Sequence, residues 1–226
     1  MKISLVTLTV LSALVSGQAF AGASANIGVT SNYMWRGMTQ TQDDPAIQGG
    51  LDYSHDSGVY VGTWASNSKF ANDSGTELDL YAGYKKELKG GMSYDVGVIK
   101  YAYPDDNSLD FTELYAKAGY KGVGAEVDYT LGKEGNQGKE HDLYYALGYT
   151  GELKNDWSYG AKVGRYDFKE AAIGDYTHGQ VSVTKSMKKA GDFTLALDKA
   201  NGGAAKANNG DNDLRASVSW KKNFDF

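Results

Sequence analysis

The sequence predicts an all-β fold, a single antiparallel transmembrane barrel of about twelve strands with short periplasmic turns and longer outer loops. Three observations predict it. Apolar and polar residues alternate in steps of two along most of the chain, which sets one face of each strand against an apolar medium and the other against water. Composition favours strands and tight turns, with 29 Gly and 17 Tyr but only 2 Pro. The connections alternate between longer polar stretches and tight turns, as in outer-membrane barrels whose termini both lie on the periplasmic side. A mean hydropathy of −0.47 excludes a bundle of membrane helices. It does not exclude a barrel, whose strands are only half apolar.

Residues 1–21 read as a signal peptide cleaved near Ala21. Lys2 is the charged start, Ile3 to Val15 the short apolar stretch, and Ala19-Phe20-Ala21 the small-x-small cleavage site. One barrel domain, residues 22–226, is then expected. The chain has a net charge of −5 and no Cys. That charge disfavours nucleic acid as a partner, and the lack of Cys fits an exported protein that does without disulfides.

In the first strand, Ala25, Ile27, Val29, Tyr33 and Trp35 are expected outward, and Asn26, Gly28, Thr30, Asn32 and Arg36 inward. After Pro45, Ile47, Leu51 and Tyr53 face outward against Gln48, Gly50 and Asp52, and His55-Asp56-Ser57-Gly58 is a tight turn. The third strand, Val59 to Ser66, leaves its facing open, because Val59, Val61 and Ala65 compete with Tyr60 and Trp64 for the outer face. Outward rows then start at Leu78, Met92, Thr112, Val123, Leu143, Trp157, Val181, Phe193 and Leu214. Gly132 to His141 and Asn201 to Asn212 are expected as outer loops. Outward aromatics sort to the ends. Tyr53, Tyr84, Tyr94, Tyr120, Tyr149, Trp157, Tyr159, Phe193 and Phe226 fall toward the periplasm, and Trp35, Tyr129 and Tyr145 toward the outside. Such bands are the girdles of a membrane barrel. A soluble sandwich or lipocalin-like barrel would hide its apolar face and has no reason to sort them.

Several stretches are also familiar. Ser31-Asn32-Tyr33-Met34-Trp35-Arg36-Gly37-Met38-Thr39-Gln40, Pro45-Ala46-Ile47-Gln48-Gly49-Gly50-Leu51-Asp52-Tyr53-Ser54 and Gly62-Thr63-Trp64-Ala65-Ser66-Asn67 resemble the TorF-type porin family. Glu77-Leu78-Asp79-Leu80-Tyr81-Ala82-Gly83-Tyr84, Tyr94-Asp95-Val96-Gly97-Val98-Ile99 and Thr112-Glu113-Leu114-Tyr115 continue the likeness, which weakens after Leu131. The resemblance implies a Gram-negative outer-membrane barrel. The family is itself assigned as porin by similarity, and no functional residues carry over from it.

No catalytic, metal or cofactor constellation stands out. His55 falls in a turn, His141 in a loop beside Glu140 and Asp142, and His178 on the inward face. The inward face carries Asp52, Glu77, Asp79, Asp95, Glu113, Glu126, Asp128 and Asp198 against Arg36, Lys85, Lys117, Lys162, Arg215 and Lys221. Charges this many need water or ion pairing, and their acid excess implies weak cation selectivity. Inward aromatics gather toward the outer mouth: Tyr101, Tyr103, Phe111, Tyr115, Tyr144, Tyr166 and Phe168. They either fill a narrow barrel or form a stacking platform for ring-shaped solutes. The expected function is a narrow passive channel for ions and small solutes. Its expected partners are outer-membrane lipid, lipopolysaccharide and the barrel-assembly machinery. The alternatives are a closed structural or adhesion barrel with binding loops, and a barrel enzyme acting on lipid.

The terminal Phe226, preceded by apolar residues at alternate positions apart from Lys222, resembles the signal by which assembly machinery recognises barrels. Deleting Phe226 is expected to impair membrane insertion. Normal amounts of heat-modifiable, membrane-inserted protein from the deletion strain would refute this.

Overall fold

Period-two alternation closes on itself in the computed structural model, which describes residues 22–70, 73–135, 141–169, 174–201 and 212–226. The strands in chain order are β1 (Gly22–Thr30), β2 (Met34–Trp35), β3 (Met38–Thr39), β4 (Ala46–Ser54), β5 (Val59–Phe70), β6 (Asp73–Glu87) and β7 (Met92–Ala102). They continue as β8 (Phe111–Tyr120), β9 (Val123–Lys133), β10 (Leu143–Glu152), β11 (Trp157–Asp167), β12 (Tyr176–Met187), β13 (Gly191–Ala200) and β14 (Arg215–Asp225). Twelve of them form one closed antiparallel barrel in which β1 joins β14 on one side and β4 on the other. Closure removes every unpaired sheet edge. The remaining two, β2 and β3, are a separate hairpin. The leader reading falls outside the described residues, as do most of the Asn201 to Asn212 loop and residues 136–140 of the loop before His141.

The barrel is inside-out relative to a soluble protein. Ile47, Leu51, Val163, Val181 and Val218 are exposed on the outer wall, whereas Glu77, Glu113 and Asp198 are buried inside. An outer surface this apolar is the kind a bilayer covers. At the tight-turn end, Tyr53, Tyr120, Tyr149, Trp157, Tyr159 and Phe193 stand exposed; Tyr129 and Tyr145 do so nearer the loop end. The third-strand question is settled by packing. Val59 and Val61 of β5 point outward, while Tyr60 and Trp64 are buried in a lumenal aromatic cluster with Tyr81, Ile99, Tyr101, Tyr103 and Tyr115.

One expectation fails at the start of the chain. The first barrel strand ends at Thr30, so Tyr33 and Trp35 are not on the outer wall and Arg36 is not on a wall strand. Thr30 Oγ1 donates to the carbonyl of Asn32 at 2.8 Å, and the Asn32 amide donates to Asp43 at 2.6 Å and accepts from Thr39 at 2.7 Å. These short polar side chains satisfy the turning backbone and outcompete a continued ladder. The chain then enters the lumen as the β2–β3 hairpin. Trp35 pairs with Met38, and the two tip residues Arg36 (φ 48°) and Gly37 (φ 80°) supply the positive φ values that a tight two-residue hairpin needs.

Glycines on the inner wall make room for rings. Gly83 lies opposite Tyr60 and Gly97 opposite Tyr115 in register. A Cβ at Gly97 would lie 2.5 Å from Cζ of Tyr115 and 2.5 Å from the carbonyl oxygen of Ala82. Tyrosine laid over a cross-strand glycine covers exposed backbone and helps pin the register. Gly97→Ala is therefore expected to destabilise the barrel by about 1–3 kcal/mol through overpacking. The urea midpoint of the refolded barrel checks this, and an unchanged midpoint contradicts the close approach.

Candidate functional site

The hairpin leaves the β1/β4 seam and reaches the opposite wall. Arg36, at its tip, donates from Nη1 to Glu113 Oε1 at 2.9 Å and from Nη2 to Glu113 Oε2 at 2.7 Å, so β8 grips it bidentately. Nη2 also donates to Asp128 Oδ2 on β9 at 2.9 Å. The guanidinium lies 4.3 Å from the ring centroid of Trp35, 4.1 Å from that of Tyr144 and 5.0 Å from that of Tyr166. Planar, weakly hydrated arginine suits such a site better than lysine would. The three charged side chains are almost fully buried, so removing one leaves its partners costly rather than merely idle.

Two further contacts hold the hairpin in place. Tyr33 donates its hydroxyl proton to Glu77 at 2.9 Å and sets its ring 5.4 Å from that of Trp64. Gly37 lies against the His178 side chain so closely that a Cβ there would be 2.8 Å from Cγ of His178. At the start of β14, Arg215 Nε donates to Asp43 at 2.7 Å, tying the loop's return to that strand.

Around this hairpin the expected lumen charges divide into kinds. Lys117 pairs with Glu126 at 3.0 Å, Arg36 with Glu113 and Asp128, and Arg215 with Asp43. Tyrosine hydroxyls donate to Asp52 (from Tyr81, 2.5 Å), Asp95 (from Tyr60, 2.6 Å) and Glu77 (from Tyr33, and from Tyr103 at 3.1 Å). Asp79 and Lys162 both border the open part of the lumen. His141, read as a loop residue, meets Tyr129 through Nδ1 at 2.8 Å, and Asp142 pairs with Lys133 at 2.6 Å.

The mouth aromatics are occupied by one another and by the hairpin. Tyr101 stacks on Phe111 at 4.4 Å and Tyr166 on Phe168 at 4.2 Å. Trp35 presents its edge to Tyr101, Phe111 and Tyr166 at 5.8, 6.2 and 6.1 Å, and Phe70 meets Tyr103 at 5.5 Å. Tyr115 lies mid-barrel and hydrogen-bonds the Tyr60 hydroxyl. Packed ring on ring, they match the filling alternative, while Tyr101 and Tyr144 also border the cavity. Reasoning from sequence missed Tyr33 and Trp35 as lumenal residues because the period of two runs on through them. The Arg36-Gly37 pair, a possible turn among Asn and Thr, was the available signal.

The hairpin thus divides the lumen. The side toward β5–β8 is filled with aromatic rings. The other side holds a cavity of about 270 Å³ lined mainly by β11–β14, β1 and β4 and by the hairpin, and the cavity also touches Trp64, Asp79, Ile99, Tyr101, Glu126 and Tyr144. Its wall is paved with Asn26, Gln48, Gln180, Ser182, Thr184, Thr194, Ser217 and Ser219, among which Lys162, Asp198 and Lys221 project. Arg36→Ala should strand Glu113 and Asp128 without their cation, at a cost of about 3–5 kcal/mol to the hairpin's seat. The expected readout is earlier proteolytic cleavage within residues 31–45 while the barrel stays heat-modifiable. Equal cleavage rates contradict the latch.

Several solved structures named as porins are similar to this chain. A KdgM porin aligns with a TM-score of 0.58 at 9% identity, covering 90% of this chain and 99% of its own. A KdgM porin in complex with disordered oligogalacturonate aligns at 0.56 and 8%, covering 90% and 99%. NanC porin gives 0.52 and 12%, covering 90% and 98%, and LpxR from Salmonella typhimurium 0.51 and 11%, covering 90% and 100%. At these identities the likeness is one of fold. No curated protein matches the chain in sequence. The model of a family described as a bacterial protein of unknown function (Gcw_chp) matches residues 16–221, a span that runs from before β1 into β14, and the chain belongs to that family.

Proposed function

We propose that the chain is a porin-like channel of the bacterial outer membrane for passive diffusion of ions and small polar solutes. In this reading a leader is removed near Ala21, assembly machinery inserts the barrel, and lipid and lipopolysaccharide cover its apolar wall. The TorF-type resemblance and the porin-like fold support the same reading. The single observation that carries it is the polar cavity beside the hairpin, set inside a closed barrel with an apolar exterior. A barrel that served only as an anchor has no need for a hydroxyl-paved interior.

A second reading has one specific observation in its favour. The hairpin and its aromatic neighbours fill one side of the lumen, which suits a closed structural or adhesion barrel whose loops bind a partner. Conductance of the refolded barrel in planar bilayers separates the two: steady small channels support diffusion, and a silent barrel supports closure.

Selectivity follows from the charges outside the buried ion pairs. These are Asp52, Glu77, Asp79, Asp95 and Asp198 against Lys85, Lys162 and Lys221, an acid excess. A polyacid such as the oligogalacturonate bound to one solved porin meets a poor match here. Reversal potentials are expected to show weak cation preference that fades near 1 M salt, where screening shortens to about 3 Å. Clear anion preference contradicts this assignment of charges.

A further inference from the structure

Three polar side chains stand in one cross-strand row on the open wall, and the row continues past Asp198 to Arg215 of β14, a cation held by Asp43 at 2.7 Å. Register pairs Lys162 of β11 with Gln180 of β12, and Gln180 with Asp198 of β13. All three border the cavity beside the hairpin. Gln180 Nε2 donates to Asp198 Oδ1 at 2.8 Å, which fixes the carboxylate in place. Its other oxygen, Oδ2, has no hydrogen-bond partner among the described residues, and Asp198 is only 2% exposed. Lys162 likewise forms no direct ion pair among the described residues. Its charged surroundings are Glu126 and Asp198 against Arg36 and Lys117, and Glu126 is already held by Lys117 at 3.0 Å.

The sheet therefore holds a cation and an anion two strands apart, about 10 Å between their backbones, with an amide between them. They face the same confined space and are not joined. A neutral solute such as a sugar compensates neither charge. A simple cation or anion compensates one and is repelled by the other. A solute with both a carboxylate and an ammonium compensates both at once, through charge-assisted hydrogen bonds to Lys162 Nζ and Asp198 Oδ2. Hydroxyls one step further down the same wall, Ser182 and Ser217, suit the polar body of such a molecule.

We propose that Lys162, Gln180 and Asp198 form a binding subsite for small zwitterions, in chemical class amino acids and short peptides. The proposal deepens the channel reading and rests on it for the solute's route of entry. Adding an ordered stop inside a narrow path gives a passive channel preference without a gate.

The test uses the full barrel with glycylglycine as probe and propylammonium, propionate and glucose as controls. Glycylglycine is expected to interrupt the ion current at concentrations where the three controls do not. Lys162→Gln and Asp198→Asn are each expected to weaken that block by about tenfold or more, the loss of one charged hydrogen bond. Lys89→Gln, which removes an exposed charge from the turn between β6 and β7, outside the cavity, should leave the block nearly unchanged. Heat-modifiable migration verifies folding of each variant, and Lys162→Gln alone decides if Asp198→Asn does not refold. Equal block by glycylglycine and glucose, or block unaltered in the row variants, overturns the subsite. A silent unmodified barrel defeats the channel reading instead. Calorimetric titration of glycylglycine into the detergent-refolded barrel then judges the subsite separately: binding that is lost in the row variants supports it, and no binding overturns it.

Discussion

The seat of Arg36 is the constraint on which the rest of the lumen depends. A guanidinium taken out of water needs opposite charge and hydrogen-bond acceptors close by. Here it finds Glu113 and Asp128 at 2.7–2.9 Å and the faces of Trp35, Tyr144 and Tyr166. Because those acceptors sit on β8 and β9, across the barrel from the β1/β4 seam, the hairpin that carries Arg36 must span the lumen to reach them. Glu113 and Asp128, in turn, tolerate burial because the hairpin delivers a cation to them. The wall and the hairpin are each other's counter-charge.

That crossing sorts the interior into two environments. Toward β5–β8, rings meet edge to face and cross-strand glycines clear space for tyrosines. Acids there lean on tyrosine hydroxyls in place of water. Toward β11–β14 the side chains are mostly short and hydroxylated, and the charges that remain stand apart. In the proposed channel a solute passes off the barrel axis, along one wall.

Much of the fold was legible in the sequence because barrel strands obey one strict rule. Residues two apart share a face, so rows such as Leu143, Tyr145, Leu147 and Tyr149 announce the outer wall without knowledge of any partner strand. The third strand was ambiguous for the same reason. Tyr60 and Trp64 are as suited to a membrane interface as to an aromatic core, and only the rings waiting inside decide. The site was less legible. The lumen charges could be named, but which of them are paired depends on contacts between residues as distant in sequence as Arg36 and Asp128. The hairpin was hidden because its apolar members keep the alternation of the strand before it. The breaks lie in Asn32, Thr39 and Thr41, whose local hydrogen bonds turn the backbone inward.

The central claim is that the path runs between the hairpin and the β11–β14 wall. The chain contains no Cys, so single cysteines can be placed without background. Charged thiol reagents applied during current recording to Ser182→Cys and Ser219→Cys on the open wall, and to Thr130→Cys on β9, which does not border the cavity, test it most directly. Thr130 is fully buried, whereas Ser182 and Ser219 border the cavity. The account predicts rapid modification with a drop in current at Ser182 and Ser219 and none at Thr130. Equal reaction at all three positions, or reaction at Thr130 alone, would contradict it.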